Sequence, residues 1–431
     1  MKLMSKIAAL LSILVITSFV LAACAPAAAP TATPTKAPAA APTTSAAPTA
    51  AAQATKPAAV TPTAPPKALD PYKIGVVLAL SGYYTAIGIP GRDGAMAAAN
   101  EINAAGGING RKLDLVVYDD GTDETKAVLA VKKAANDDKV VAIVGPTGSG
   151  LPMAAMPVIE EAQVPMLAIG SGDAIVNPVK KWAFKFISGE AKNIPEIYSF
   201  FKSKGIKKLA LLYPSTAVGK GGLAYIEPTA SKEGFELVAI ESYGPEDKEF
   251  APQLTKIKSA GAQGLIVYDA SIASALIGKQ MKDMGINLPW SGPYGMIGPA
   301  NVKAAGDGFD NLVVPAPKEY VATQLPDSDP QKKAALQFME AYKKTTGKDA
   351  DPLAMHGWDA VMIIAEALKK TNPDPANLAD TRAKIRDGIE GLKNYAAVVS
   401  ILNLSPTDHE GMPPGWSALV SVKDGKFSIA K

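Results

Sequence analysis

The sequence predicts an α/β protein of two doubly wound parallel-sheet lobes, and three observations carry that expectation. Short, wholly apolar runs rich in β-branched residues alternate with stretches of helical periodicity, as strands covered on both faces should. The alternation passes through four strands, lapses, and restarts near residue 208. Of the 431 residues, the 361 after position 70 are available for globular structure, which is more than one core usually supports.

In the first half, 73–80 (KIGVVLAL) reads as a strand and 91–105 as a helix. Strand 113–118, helix 126–136 and strand 140–144 follow, then the turn 145–150 (GPTGSG), a helix from 151 to 162 and a strand at 164–169. The second half repeats the pattern with strand 208–213, helix 221–233, strand 236–242, helix 252–260, strand 264–268 (GLIVY) and helix 272–284. Ligands of open parallel sheets bind beyond the carboxyl ends of the strands. The loops at 81–88, 145–150, 170–173, 213–219 and 269–271 are therefore the candidate site.

The first 70 residues read as preceding the fold. Lys2 and Lys6 lead an uncharged apolar run, so 1–23 has the form of a secretory signal. Residues 25–70 hold 19 Ala, 10 Pro and 9 Thr, too little apolar bulk for a core, and read as a disordered leash. Fully extended it would reach on the order of 140 Å, and as a flexible coil nearer 40 Å. Five of the 44 basic residues but only one of the 41 acidic ones lie before position 71, which leaves 39 against 40 in the fold. That near-neutral balance argues against a nucleic-acid-binding face.

Cys24 is the sole cysteine, so an internal disulfide, a Cys-based zinc site and a Cys nucleophile in the fold are excluded. Two histidines, His356 and His409, cannot build a multi-His metal centre, and no cofactor is expected. After the signal, no uncharged apolar run approaches the ~20 residues that a membrane span needs. Leu21-Ala22-Ala23-Cys24 resembles the lipobox of bacterial lipoproteins. The resemblance implies cleavage before Cys24, its lipidation, and an extracytoplasmic protein held on the bacterial cell membrane.

Longer stretches carry a second resemblance. Ala79-Leu80-Ser81-Gly82, Gly88, Gly94 and 97–123 (AAANEINAAGGINGRKLDLVVYDDGTD) are similar to the opening of the leucine/isoleucine/valine-binding protein family. The similarity continues through 142–149, 160–171 (EEAQVPMLAIGS), 279–295 (KQMKDMGINLPWSGPYG), 357–368 (GWDAVMIIAEAL) and 405–411 (SPTDHEG). It implies a type I periplasmic-binding-protein fold, with lobe I at 72–186 plus 316–397 and lobe II at 187–315 plus 398–431. The lobes would be joined by a three-crossover hinge that closes on a small-molecule ligand. Implied partners are the permease subunits of an ABC importer, with the binding protein itself expected to be a monomer. Gly145 to Gly150 lacks the Lys of a nucleotide-binding loop.

The resemblance also implies a ligand site. Amino-acid-binding members hold the ligand carboxylate with hydroxyl and backbone N–H donors at helix N-termini, positions matched by Ser149 and by Gly170-Ser171-Gly172. A hydroxyl residue expected at the end of the second loop is Gly172 here, which leaves Ser171 as its substitute; Ser149 alternatively caps the helix at 151. The acid that such members place after a Gly-Pro pair, as ammonium partner, is Tyr294 here. Asp269, after the GLIVY strand, either replaces that acid or caps the helix near Ser271. Ile87 and Val218 stand where tyrosines are expected, and Tyr83 and Tyr84 offer an aromatic wall facing Tyr294.

Other residues have plain readings. Trp182, Trp290 and Trp358 are assigned to packing, His356 to a satisfied structural role, and Asp408-His409-Glu410 to a solvated hairpin. With no Cys in the fold, no GxSxG elbow and no HExxH helix, an enzyme is disfavoured. The expected function is capture of a small solute, by default a branched-chain or related amino acid, for an ABC importer. A non-amino-acid carboxylate or amide as ligand, and a sensory role on the same fold, are the alternatives.

Overall fold

The computed structural model describes residues 69–430. The signal, Cys24 and nearly all of the Ala/Pro/Thr stretch lie outside the described residues. Five strands form the first sheet: β1 (Tyr72–Leu78), β2 (Leu113–Asp119), β3 (Ala142–Thr147), β4 (Met166–Ile169) and β5 (Ala183–Lys185). Their order is β2-β1-β3-β4-β5, and every pairing is parallel. Helices α1 (Thr85–Ala104), α2 (Glu124–Lys132) and α3 (Gly150–Ala162) connect them.

This sheet separates two cores. Along β1, Ile74, Val76 and Leu78 face one apolar cluster with Ala95, Ala98 and Ile102 of α1, while Val77 faces another with Val131 and Ile159. Met166 and Ala168 of β4 alternate with Leu167 and Ile169 in the same way. Both faces being apolar is why these strands read as continuous hydrophobic runs, each large buried side chain contributing about 1.5–3 kcal/mol.

The second sheet follows α4 (Glu190–Ser203) and holds β6 (Lys208–Pro214), β7 (Glu236–Tyr243), β8 (Gly264–Val267) and β9 (Trp290–Ser291) in the parallel order β7-β6-β8-β9. Its helices are α5 (Ala217–Thr229), α6 (Ala251–Ser259) and α7 (Ala273–Asp283), with the short α8 (Pro299–Ala305) beyond β9. The chain then runs through β10 (Val313–Pro317) into α9 (Pro330–Thr346), α10 (Met355–Thr371) and α11 (Leu378–Glu390). α10 packs against α1, and glycines permit the approach: a Cβ on Gly357 would lie 1.8 Å from the Gly91 carbonyl oxygen. After the two-residue strands β11 (Tyr395–Ala396) and β12 (Ile401–Leu402), β13 (Ser417–Lys423) pairs antiparallel with β10 and with β14 (Lys426–Ile429). No helix among the described residues is long and apolar enough to cross a membrane.

Two helices start earlier than the sequence pattern indicates. α1 begins at Thr85 and runs through Gly88, Pro90 and Gly91, and α5 begins at Ala217 and runs through Gly219, Gly221 and Gly222. Glycine and proline read locally as breakers, but here tertiary contact needs the missing side chains. A Cβ on Gly88 would meet the Ala79 carbonyl oxygen at 2.1 Å, and one on Gly222 would meet the Tyr268 ring at 2.3 Å.

Candidate functional site

The carboxyl ends of the two sheets carry the candidate site, and carboxylates hold their loops. Asp119 accepts from the Leu80 N–H (2.8 Å), the Ser81 N–H (3.1 Å) and the Ser81 hydroxyl (2.7 Å), fixing the loop after β1. Asp120 accepts from the N–H groups of Thr122 (2.9 Å) and Thr147 (3.0 Å), and the Thr147 hydroxyl accepts from the Ala79 N–H (2.9 Å). The DDGTD stretch at 119–123 thus ties together the loops after β1, β2 and β3. In the second sheet, the Asn301 amide donates to the carbonyls of Ser271 (3.1 Å) and Met296 (3.2 Å), joining the loops after β8 and β9.

Between these loops lies a small cavity. Its wall takes Tyr84, Gly148, Gly170 and Ser171 from the first sheet's loops, Val218, Ala270, Pro293 and Tyr294 from the second's, and His356 from α10. An open groove lies against the same loops, where Ser149 and Gly172 face Ala217, Gly221 and Tyr225 of α5. A more polar hollow lined by Lys282, Asn287 and Asp310 lies near the amino end of β9, away from these loops.

The structure divides the sequence-predicted residues into three groups. Tyr84, Gly170, Ser171 and Tyr294 reach the cavity wall. Ser149 and Gly172 line the groove, where the Ser149 hydroxyl accepts from the Gly172 N–H at 2.9 Å. Ser149 makes no side-chain cap bond to α3, so capping does not account for it. Gly172 has no room for the expected hydroxyl residue, because a Cβ there would stand 2.8 Å from Ser149 Cβ.

Tyr83 and Asp269 pair with each other instead of lining the cavity: the Tyr83 hydroxyl sits 3.2 and 3.3 Å from the two carboxylate oxygens. Asp269 is fully buried and also accepts from the Tyr243 hydroxyl (2.8 Å), the Ser271 hydroxyl (2.6 Å) and the N–H groups of Ala270 (2.7 Å) and Ser271 (3.1 Å). Burial pushes its carboxyl up, and the hydrogen bonds from Ser271, Tyr243 and Ala270 pull it back. A carboxylate so occupied organises the 269–271 turn and fastens it to Tyr83 on the opposite sheet's loop.

Two plain readings are corrected. His356 is not fully satisfied: its Nε2 pairs with the Tyr294 hydroxyl at 3.0 Å, but Nδ1 is buried with no partner among the described residues. Burial pulls its pKa down to about 3, so the cavity wall carries a neutral imidazole. The 405–411 hairpin is not wholly solvated, since only Asp408 of the three is exposed. His409 is buried against Phe184, ring centroids 4.1 Å apart, with Nδ1 2.8 Å from the Ala183 carbonyl oxygen, and Glu410 pairs with Lys185 at 2.8 Å. Among the described residues no group of three His, Cys, Asp or Glu could hold a metal ion.

Trp182, Trp290 and Trp358 pack as expected, Trp290 edge-on to Phe309 and Trp358 edge-on to Phe338. Trp416, which sequence reasoning passed over, supports the site by packing at 5.8 Å against Tyr294. Nothing local marked it, because the contact joins residues 122 positions apart.

A cavity between the carboxyl ends of two parallel sheets is the arrangement of two-lobed solute binders, and the comparisons agree. A family model described as periplasmic binding protein matches residues 71–426. The chain belongs to the periplasmic binding protein family. The leucine-, isoleucine-, valine-, threonine- and alanine-binding protein of Pseudomonas aeruginosa is 27% identical over 320 residues, covering 73% of this chain and 82% of the relative. The Leu/Ile/Val/Thr-binding protein of Salmonella typhimurium is 24% identical over 314 residues, 72% of this chain and 82% of the relative. Among solved structures, an extracellular ligand-binding receptor from Rhodopseudomonas palustris superposes with a TM-score of 0.79 at 24% identity, over 84% of this chain and 99% of that one. A branched-chain amino acid transporter substrate binding protein from Streptococcus pneumoniae, solved with isoleucine, gives 0.72 at 23% identity, over 83% and 98%. The periplasmic binding protein described here therefore has the type I fold and binds a solute; its relatives are not enzymes.

Proposed function

We propose that this binding protein captures a small solute, by default a branched-chain or related amino acid, and delivers it to the permease of an ABC importer. The observation that carries the reading is the cavity itself. It is mostly apolar and formed jointly by loops of both sheets, and the groove beside it takes Ser149 and Met153 from the start of α3, whose unpaired N–H groups and dipole suit a carboxylate. Tyr84, Ile87, Ile169 and Val218 offer a wall for an aliphatic side chain, while Ser149 and Ser171 supply hydroxyls near the carboxylate end. The names of relatives that bind leucine, isoleucine and valine support the amino-acid default.

In this reading 72–186 with 316–397 moves as one lobe and 187–315 with 398–431 as the other, and closure traps the ligand. Cys24 carries the lipid that anchors the protein, as a monomer, on the outer side of the cell membrane, and the Ala/Pro/Thr stretch is its leash. The neutral His356 and Tyr294 in the wall favour one second reading, a carboxylate or amide without an amine. The test is a melting scan of the purified chain, unfolded and refolded to strip bound ligand, against amino acids, amides and organic acids. A true ligand at 100 times its Kd adds about 2.7 kcal/mol of stability. A shift with leucine, isoleucine or valine supports the default, one with acids or amides alone supports the second reading, and no shift with any member sinks both.

A further inference from the structure

The groove beside the cavity holds a carboxylate that the fold does not use up. Glu190 opens α4, is only 4% exposed, and lines the groove together with Ser149, Gly172 and Tyr225. Its Oε2 accepts from the Asp173 N–H at 2.8 Å. Its Oε1 is buried and has no hydrogen-bond partner among the described residues. That oxygen stands against Gly221 on the facing helix α5, where a Cβ would come within 2.4 Å of it.

The cation nearby is committed elsewhere. Lys185, fully buried, donates to the Ile187 carbonyl at 3.1 Å, pairs with Glu410 at 2.8 Å and approaches Asp173 at 3.5 Å. Asp173 is engaged in turn, its second oxygen accepting from the Ala191 N–H at 2.9 Å. One lysine thus stands among three carboxylates, and Glu190 is the one that makes no ion pair with it among the described residues. A buried oxygen left unpaired carries a desolvation penalty that grows when it is charged, so a donor entering the groove would remove a standing cost. Other unpaired groups lie close by: the Tyr268 hydroxyl, whose pKa burial and the charges of Glu190 and Asp173 raise, is also buried without a partner among the described residues.

We infer that Glu190 is the acidic partner of the ligand's ammonium group, taking over the charge that Tyr294 cannot supply. This rests on the reading of the cavity as an amino-acid site and deepens it. Ser149 and the first turn of α3 take the carboxylate, the side chain enters the apolar cavity, and the ammonium turns into the groove toward Glu190 Oε1. Asp269, occupied by its own turn and two tyrosines, is then not needed for this charge.

The experiment uses the full chain, stripped of ligand, and titrates it calorimetrically with each of the twenty amino acids and with 4-methylpentanoate, which is leucine without its amine. Wild type, Glu190→Gln and Gly221→Ala are compared. The expected result is tight binding of at least one amino acid by wild type and much weaker binding of 4-methylpentanoate. Glu190→Gln should weaken the amino acid by about 100-fold while leaving 4-methylpentanoate within a few-fold. Gly221→Ala, whose methyl group displaces Oε1, should weaken the amino acid too without touching the charge. An amino acid bound equally well by wild type and Glu190→Gln overturns the inference and leaves the solute-binding reading intact. So does a wild type that prefers 4-methylpentanoate. Binding of neither class overturns the amino-acid reading and the inference with it. If Glu190→Gln does not fold, Gly221→Ala decides: unchanged amino-acid affinity there overturns the inference.

Discussion

Replacing Asp269 tests whether this carboxylate is an architectural hub. Its two oxygens accept from two N–H groups of its own turn and from the hydroxyls of Ser271, Tyr243 and Tyr83, all at 2.6–3.3 Å in a fully buried setting. Asp269→Ala removes the acceptor for all five donors. At about 1 kcal/mol net for each bond, with the Tyr83 contact long enough to count for little, the loss should be about 4 kcal/mol. Asp269→Asn is milder. Its carbonyl can keep both N–H donors, and the hydroxyls of Ser271 and Tyr243 can reverse to accept from its amide, so the loss should be about 1–2 kcal/mol. Tyr83→Phe removes only the bond between the two sheets' loops and should cost under about 1 kcal/mol. Equilibrium urea unfolding of the four proteins, with the midpoint shift read at unchanged slope, checks the series. An alanine variant within about 1 kcal/mol of wild type would refute the reasoning, since an acceptor of five buried donors cannot be removed so cheaply.

Four further outcomes follow from other groups. Arg382, only 5% exposed, donates to the carbonyls of Val140 (3.0 and 2.8 Å), Ala135 (2.7 Å) and Ala162 (2.7 Å), so Arg382→Leu should cost about 3–4 kcal/mol in urea unfolding. Glu319 is buried with its pKa pushed up to about 8, so the folded chain keeps a proton that the unfolded chain loses above its ordinary value of 4.5. Its contribution to stability therefore falls as pH rises from about 4.5 to 8, and Glu319→Gln should abolish that fall, read as melting temperatures of both proteins at pH 5 and 8.5. His356, held down to about 3, acts in the other direction: stability is lost as pH drops below about 6.5, because the unfolded chain binds the proton first. Gly357→Ala, whose methyl would lie 1.8 Å from the Gly91 carbonyl oxygen, must push α10 off α1 and should lower stability by more than about 2 kcal/mol in the same unfolding assay.

The strands most plainly legible in the sequence are those buried on both faces, though the half-exposed edge strands β2 and β7 are legible as well. β1, β3, β4, β6 and β8 show as unbroken apolar runs because each sheet face is covered by helices. The strands β5, β9, β11 and β12, of two or three residues, are too short to show any period. The early starts of α1 and α5 were hidden for another reason. Their glycines serve close contacts with Ala79 and Tyr268, and a local pattern cannot tell such a glycine from a breaker. In the site, loop position marked the segments that hold Tyr84, Ser149, Gly170 and Ser171, and the family resemblance singled out Ser149, Gly170, Ser171 and the position of Tyr294. The sequence left Asp269 undecided between two roles, and nothing in it singled out Glu190, Trp416 or the open nitrogen of His356.

By itself the sequence determined the element types, the doubling of the parallel-sheet pattern and the absence of thiol chemistry in the fold, because composition and periodicity act locally along the chain; its motifs separately carried a family resemblance. Tertiary structure alone decided which polar groups are spent and which stay free. Besides the donors of its own turn, Asp269 takes the hydroxyls of Tyr243 and Tyr83, 26 and 186 positions away, and Lys185 is occupied by Glu410 from the far end of the chain. Glu190 is left over because the cation beside it, Lys185, is already taken. A charge becomes a binding group or a structural one according to the donors that folding brings within about 3 Å of it, and those partners are fixed by packing, not by their distance along the sequence.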